Sequence, residues 1–149
     1  MKKLTQSIEI KATREQVWDA IVNDTKYRKW TAEFHEGSHF EGGWNTGDTI
    51  HFIAINEKGE KEGMLSTIHS SIYPEYISIE HRGIISNGVE DTSSESAKTW
   101  APAFENYSLT PLDEQTTKFT VEMDSPDEYY DYFIEAWTKA LIVLKQVCE

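Results

Sequence analysis

The chain has 149 residues, 38% hydrophobic and 27% charged, with a net charge of −12. That length suits a single domain, 1–149, with a real core, and the acidic excess argues against nucleic acid and anionic membrane surfaces as partners. No stretch approaches the roughly 18 consecutive apolar residues of a membrane span. The N-terminal "MKKLTQSIEI" lacks the apolar run of a secretory signal, and the only cysteine, Cys148, has no disulfide or metal-binding mate, so the expected setting is cytoplasmic.

In chain order, "KLTQSIEIKA" alternates Leu4, Ile8 and Ile10 with polar residues, the pattern of a half-buried strand. "TREQVWDAIVND" follows as a helix, with Thr13 and Gln16 as a capping box and Val17, Trp18 and Ile21 as its apolar face. A second short helix, "TKYRKWT", is expected with Asp24 as its cap and Tyr27 and Trp30 as its apolar residues. Strands then follow in "SHFEGG", "DTIHFIAIN", "EGMLSTIHSSI" and "YISIEHRGII", separated by turns at Lys58-Gly59 and Pro74-Glu75. "SNGVEDTSSESAKT" reads as a polar connection with a short helix after Thr92. "FENYSLTP" and "TTKFTVEM" form a last hairpin around Asp113-Glu114. The final helix opens at Ser125-Pro126 and carries a stripe of Tyr130, Phe133, Ile134, Trp137, Leu141, Leu144 and Cys148 at spacings of three and four.

This order predicts an α+β fold in which a curved antiparallel sheet, bent with the help of its glycines, buries one face against the C-terminal helix. Taking Lys58-Gly59 and Pro74-Glu75 as two-residue loops pairs Ile53 with Met64, His51 with Ser66, Ile72 with Ile77 and Ile68 with His81. One face then gathers Ile53, Ile55, Met64, Ile68, Ile72, Ile77 and Ile79 with His51, Ser66, Ser70 and His81. A one-residue slip would turn part of it outward. In the last hairpin Glu105, Tyr107 and Leu109 face Met123, Val121 and Phe119. The interior is thus apolar with a few placed polar groups: His51, His81, Ser66, Ser70, Glu105 and the Tyr107 hydroxyl. Such groups satisfy one another, hold water, or orient a ligand.

His35 and His39 share a strand face, too far apart for one metal, and neither HExxH nor a cysteine partner exists, so no metal or cofactor is expected. His51 or His81 with Glu105 has the composition of an acid–base pair, but a satisfied core network has the same composition, and no catalytic residue is assigned. Trp18 and Tyr27 read as core. Trp44 and Trp100 read as a pocket lip, a mobile-lid neighbour or a partner contact.

The "REQVWDAIVN" and "YRKW" helices, the glycine-broken "FEGGWNTGDTIHF" and the final "EAWTKALIVLKQV" together resemble the START-like (SRPBCC) superfamily with its helix-grip fold. Within it, the chain is most similar to bacterial members related to the activator of the heat-shock-protein-90 ATPase. The resemblance covers essentially the whole chain. It implies a cavity between sheet and long helix, with Phe133, Trp137 and Leu141 lining it from the helix and Trp30, Phe40 and Trp44 near its mouth. It carries no catalytic motif. The expected function is binding of a small apolar or aromatic molecule, with Ile53, Met64, Ile68 and Ile79 as apolar wall and His51, His81, Ser66, Glu105 and Tyr107 at its polar end. A cyclase- or hydratase-like enzyme using the His, Glu and Tyr groups, and a chaperone co-factor acting through an exposed apolar patch, are the alternatives.

Overall fold

A computed structural model describes all 149 residues. Strand β1 (Lys2–Ile10) leads into helices α1 (Arg14–Val22) and α2 (Asp24–Thr31), followed by β2 (His39–Gly42), β3 (Thr49–Ile55), β4 (Lys61–Ile72), β5 (Tyr76–Ser86) and β6 (Val89–Asp91). Helix α3 (Glu95–Trp100), strands β7 (Ala103–Asp113) and β8 (Thr116–Ser125), a 3-10 turn (Asp127–Tyr129) and helix α4 (Tyr130–Cys148) complete the chain. The strands form one antiparallel sheet in the order β1-β8-β7-β5-β4-β3-β2, with β6 pairing β5. The sheet and the long helix make the α+β helix-grip arrangement expected from the sequence. No helix is long and apolar enough to cross a membrane.

Local chemistry explains the element ends. The Thr13–Gln16 capping box is present, each side chain bonding the other residue's backbone N–H. Helix α2 is capped by Asn23, whose Oδ1 accepts from the Lys26 N–H at 3.1 Å, so Asp24 is the first helical residue and not the cap. Likewise Ser94, not Thr92, caps α3. The polar connection also contains β6, which turns back on β5 through Asn87 and Gly88, both at positive φ.

One face of the sheet packs on α1, α2 and α4 around Leu4, Ile10, Ile68, Ile77, Ile79, Phe119, Val121, Trp137 and Leu144, all at most 2% exposed. The register of the last hairpin is as expected: Glu105 faces Met123, Tyr107 faces Val121 and Leu109 faces Phe119. The β3–β4 register is one residue away from the expected one. Residues 56–60 make a five-residue loop: the Asn56 side-chain oxygen accepts from the Lys58 and Glu60 N–H groups, each at 2.9 Å, and Gly59 takes a φ of +78°. Ile50 consequently faces Ser66, His51 faces Leu65, Phe52 faces Met64 and Ile53 faces Gly63. Phe52 takes the inward position expected of Ile53, and His51 turns to the opposite face. Between β4 and β5 the Tyr73–Glu75 loop also shifts the pairing, so that Ile72 faces Tyr76 and is half exposed, while bulges bring Ile68 opposite Ile79 and Ser66 opposite His81. Gly63 lies in this curved region. A Cβ there would sit 1.8 Å from the Phe52 carbonyl oxygen, so only glycine lets the two strands approach.

Candidate functional site

Sheet and α4 do not close along their whole length. Toward β3, β4 and the N-terminal end of α4 they leave a cleft of about 480 Å³, with exposed His35 and Tyr132 on its rim. Its lining is mainly hydrophobic, sixteen residues of twenty-five, which is the usual character of a small-molecule pocket. Helix α2 supplies Tyr27 and Trp30 one turn apart. Helix α4 supplies Phe133 and Trp137, and the sheet supplies Phe52, Met64, Ile84, His81, Glu105 and Tyr107. Ring contacts tie these walls together: Trp30 and Trp137 centroids are 5.9 Å apart, Phe34 and Trp137 4.8 Å, and Tyr27 and Phe52 6.3 Å. Trp100, at the end of α3, packs on Phe133 and Tyr129 and closes one side.

Polar atoms at the floor are joined in one chain. Ser66 Oγ is 2.7 Å from His81 Nδ1, His81 Nε2 is 3.1 Å from Glu105 Oε1, and the Tyr107 hydroxyl donates to Glu105 Oε2. All four are at least four-fifths buried in their side chains or as whole residues. Burial, reinforced by the charge of Glu105, pushes the Tyr107 phenol well above its ordinary range, so it stays a donor. The neutral His81 tautomer satisfies this chain completely: Ser66 donates to Nδ1, and Nε2–H donates to Glu105.

The sequence Ser66–His81–Glu105 has the composition of a nucleophilic triad, yet it cannot act as one on a molecule in the cleft. Ser66 is fully buried and does not border the cleft, so no substrate carbonyl can reach its oxygen. Tyr27 differs from its neighbours. It is 6% exposed, lines the cleft, and its hydroxyl has no hydrogen-bond partner within the protein, whereas the Trp30 and Trp137 indole N–H groups are spent on the Ala20 carbonyl (2.9 Å) and Met123 Sδ (3.1 Å). Burial, then the charge of Glu105, holds the Tyr27 phenol far above its ordinary value.

Of the residues expected from the sequence, the cleft brings together Trp30, Ile53, Met64, His81, Glu105, Tyr107, Phe133 and Trp137. Trp30 is fully buried in its wall and not at a mouth. Ile68, Ile79 and Leu141 belong to the packed core, and Ser66 lies behind His81. Phe40 and Trp44 do not line the cleft. They pack behind it on Tyr27, at 5.1 and 6.2 Å, where the Trp44 indole N–H is buried without a partner. His51 is a correction: the shifted register puts it outside the cleft, with Nε2 2.8 Å from Glu90 Oε2. His35 and His69 are exposed and His39 bonds Glu41 at 3.0 Å, and no cluster of three potential metal ligands forms. Tyr27 was assigned to plain core. Its place three residues before Trp30 on one helix is the signal that puts both on the same wall.

No family model matches the sequence, and no curated protein does. Solved structures do match. An Aha1 dimer from Colwellia psychrerythraea superposes over 100% of this chain and 97% of that one, at a TM-score of 0.71 and 17% identity. Protein Ms6760 from Mycobacterium smegmatis matches over 97% of this chain and 89% of that one, at a TM-score of 0.72 and 15% identity. DynU16, a protein of the dynemicin biosynthetic locus, matches over 98% of this chain but 46% of that one, at 0.68 and 13% identity. At these identities the likeness is one of fold alone: an antiparallel sheet gripping a long C-terminal helix.

Proposed function

We propose that the protein binds a small, largely apolar or aromatic molecule in the cleft between sheet and α4. The observation that carries this reading is the 480 Å³ space itself, bordered by Trp30, Phe52, Phe133 and Trp137 and floored by a hydrogen-bonded polar chain. An interaction role through a surface patch has less support. Trp44 and Trp100 are both half-buried in aromatic clusters, and the exposed apolar side chains Ile72, Val89, Leu112 and Ile142 belong to different elements.

The test is a nitrogen-15 NMR titration with fatty acids, phenolics and polyketide-like aromatics, read on the five tryptophan indole signals. The expected result is saturable shifts of Trp30, Trp100 and Trp137 with Trp18 unmoved, because Trp18 packs on Tyr73 away from the cleft. If neither this panel nor an aromatic amine added to it moves any of the three, the reading is overturned.

A further inference from the structure

The lining of the cleft has a marked asymmetry of charge. Glu62, Glu105 and Asp124 border it, and no lysine or arginine does. Two of the three carboxylates are engaged at the edge. Glu62 accepts from the Asn56 amide at 3.1 Å, and Asp124 accepts from the Phe104 N–H at 2.9 Å with the Lys3 ammonium 4.0 Å away. Glu105 is different: its two partners are a tyrosine hydroxyl and, in the tautomer that satisfies Ser66, a neutral imidazole. Its charge is hydrogen-bonded but not neutralised, and it sits among aromatic rings.

The donors tell the same story. The buried side-chain donors around the cleft are Tyr27, Trp30, Thr31, His81, Tyr107 and Trp137. Trp30, Thr31, Tyr107 and Trp137 already donate to the Ala20 carbonyl, the Tyr27 carbonyl, Glu105 and Met123, and His81 is held between Ser66 and Glu105. A carboxylate or phosphate entering the cleft would therefore find the Tyr27 hydroxyl, with half-buried Ser38 and the Trp100 indole N–H, as free donors, no lysine or arginine, and a nearby negative charge. Burying an anion under those conditions is unfavourable. An ammonium group finds the opposite: the Glu105 carboxylate, a phenol oxygen with free acceptor capacity, and a wall of aromatic rings including Phe52 and Phe133. The overall charge of −12 attracts cations toward the molecule and disfavours anions before contact.

We infer that the cleft selects a protonated primary or secondary amine carried on an aromatic or alkyl body, its N–H groups shared between Glu105 and the Tyr27 hydroxyl. This rests on the ligand-binding reading and specifies its ligand class. Fatty acids and other carboxylates are excluded by the same groups.

The experiment is calorimetric titration at neutral pH with three molecules that share a body and differ in the head: 4-phenylbutylamine, 4-phenylbutanol and 5-phenylpentanoate. The amine is expected to bind about tenfold more tightly than the alcohol, the usual scale of one charge-assisted hydrogen bond, and the carboxylate more weakly than both. Glu105→Gln removes the charge, keeps an acceptor oxygen for one of Tyr107 and His81 while its NH2 faces the other, and should bring the amine down to the alcohol's affinity. Tyr27→Phe, which breaks no bond within the protein, should weaken the amine several-fold and serves if Glu105→Gln folds poorly. Equal or tighter binding of the carboxylate or the alcohol overturns the inference and leaves the ligand-binding reading standing. An amine preference untouched by both substitutions also overturns it. If none of the three binds, the amine assignment fails, and a silent NMR panel beside that result removes the ligand-binding reading as well.

Discussion

The two ends of the sheet–helix interface are built from similar residues but filled differently. At the closed end, β1, β7 and β8 meet the second half of α4, and Leu4, Ile10, Phe119, Val121, Ala140 and Leu144 are at most 3% exposed. At the open end, β3, β4 and β5 face the first half of α4 across the cleft, and Phe52, Met64, Ile84 and Phe133 remain half-buried. The difference is one of side-chain supply and strand course. Near the closed end α4 carries small Ala140 beside Leu141 and Leu144, which lets it settle on a β1–β8–β7 sheet whose one register shift, between Pro111 and Asp113, lies at the hairpin tip. Near the open end the sheet is broken by bulges between Leu65 and Ser66 and between Ile68 and Ser70, and by the close approach at Gly63. The strands curve away, and the space is left to aromatic rings that touch at their edges. One end therefore provides stability, and the other provides a site.

The largest expected effect separates the two directly. Phe119→Ala empties a fully buried position and should cost about 3–5 kcal/mol of unfolding free energy. Phe133→Ala removes a ring that already borders open space, creates little new cavity, and should cost about 1 kcal/mol. Urea denaturation of the two variants decides it. Equal losses would mean that the cleft is a packed part of the core.

This division also marks what the sequence made legible. The closed end rests on long periodic patterns: the alternation of β1, the capping box of α1, the α4 stripe from Tyr130 and a last hairpin whose register is as expected from Glu105 to Leu109. The open end depends on events of single residues. A five-residue loop closed by the Asn56 side chain turns His51 out of the cleft and puts Phe52 opposite Met64, while Ile53 stays buried. The β4–β5 bulges bring Ser66 and His81 together, where plain alternation pairs Ile68 with His81. Periodicity holds no record of an extra residue in a strand, so the expected polar set contains Ser66, His81, Glu105 and Tyr107 of the chain but also His51 and Ser70, which lie outside it. The missed β6 is a different matter: Asn87-Gly88 is a strong hairpin signal and stands in the sequence.

A smaller effect sharpens the comparison within the site. Tyr107 and Tyr27 are both buried phenols beside Glu105, but only the Tyr107 hydroxyl is bonded within the protein. Tyr107→Phe takes a donor from a buried carboxylate and should destabilise by about 2 kcal/mol. Tyr27→Phe removes a hydroxyl with no protein partner and should change stability by less than about 0.5 kcal/mol. Thermal unfolding of both variants without ligand is the measurement. A large loss for Tyr27→Phe would show that its hydroxyl is serving the fold and not the cleft.

The dependence on alkaline pH tests the burial of both phenols at once. Tyr27 and Tyr107 have pKa values raised far above the ordinary 10.0, by burial first and by Glu105 second. In the unfolded chain both ionise near 10, whereas the folded protein keeps both protons. A raised folded value contributes stability that is intact below pH 10 and lost as pH climbs from there toward the folded pKa. Each tyrosine should then remove about 1.4 kcal/mol for every pH unit above 10. Cys148, at the far end of α4, is raised by burial from 9.0 to about 11 and acts with the same sign over that window. Unfolding free energy measured from pH 8 to 11.5 should therefore begin to fall near 9 and steepen above 10. Cys148→Ala should delay the onset, and Tyr27→Phe and Tyr107→Phe should each take one proton out of the steep part. If Tyr27→Phe leaves the slope unchanged, the Tyr27 hydroxyl is as exposed in the folded protein as in the unfolded chain, and the open end of the interface is wetter than its aromatic walls imply.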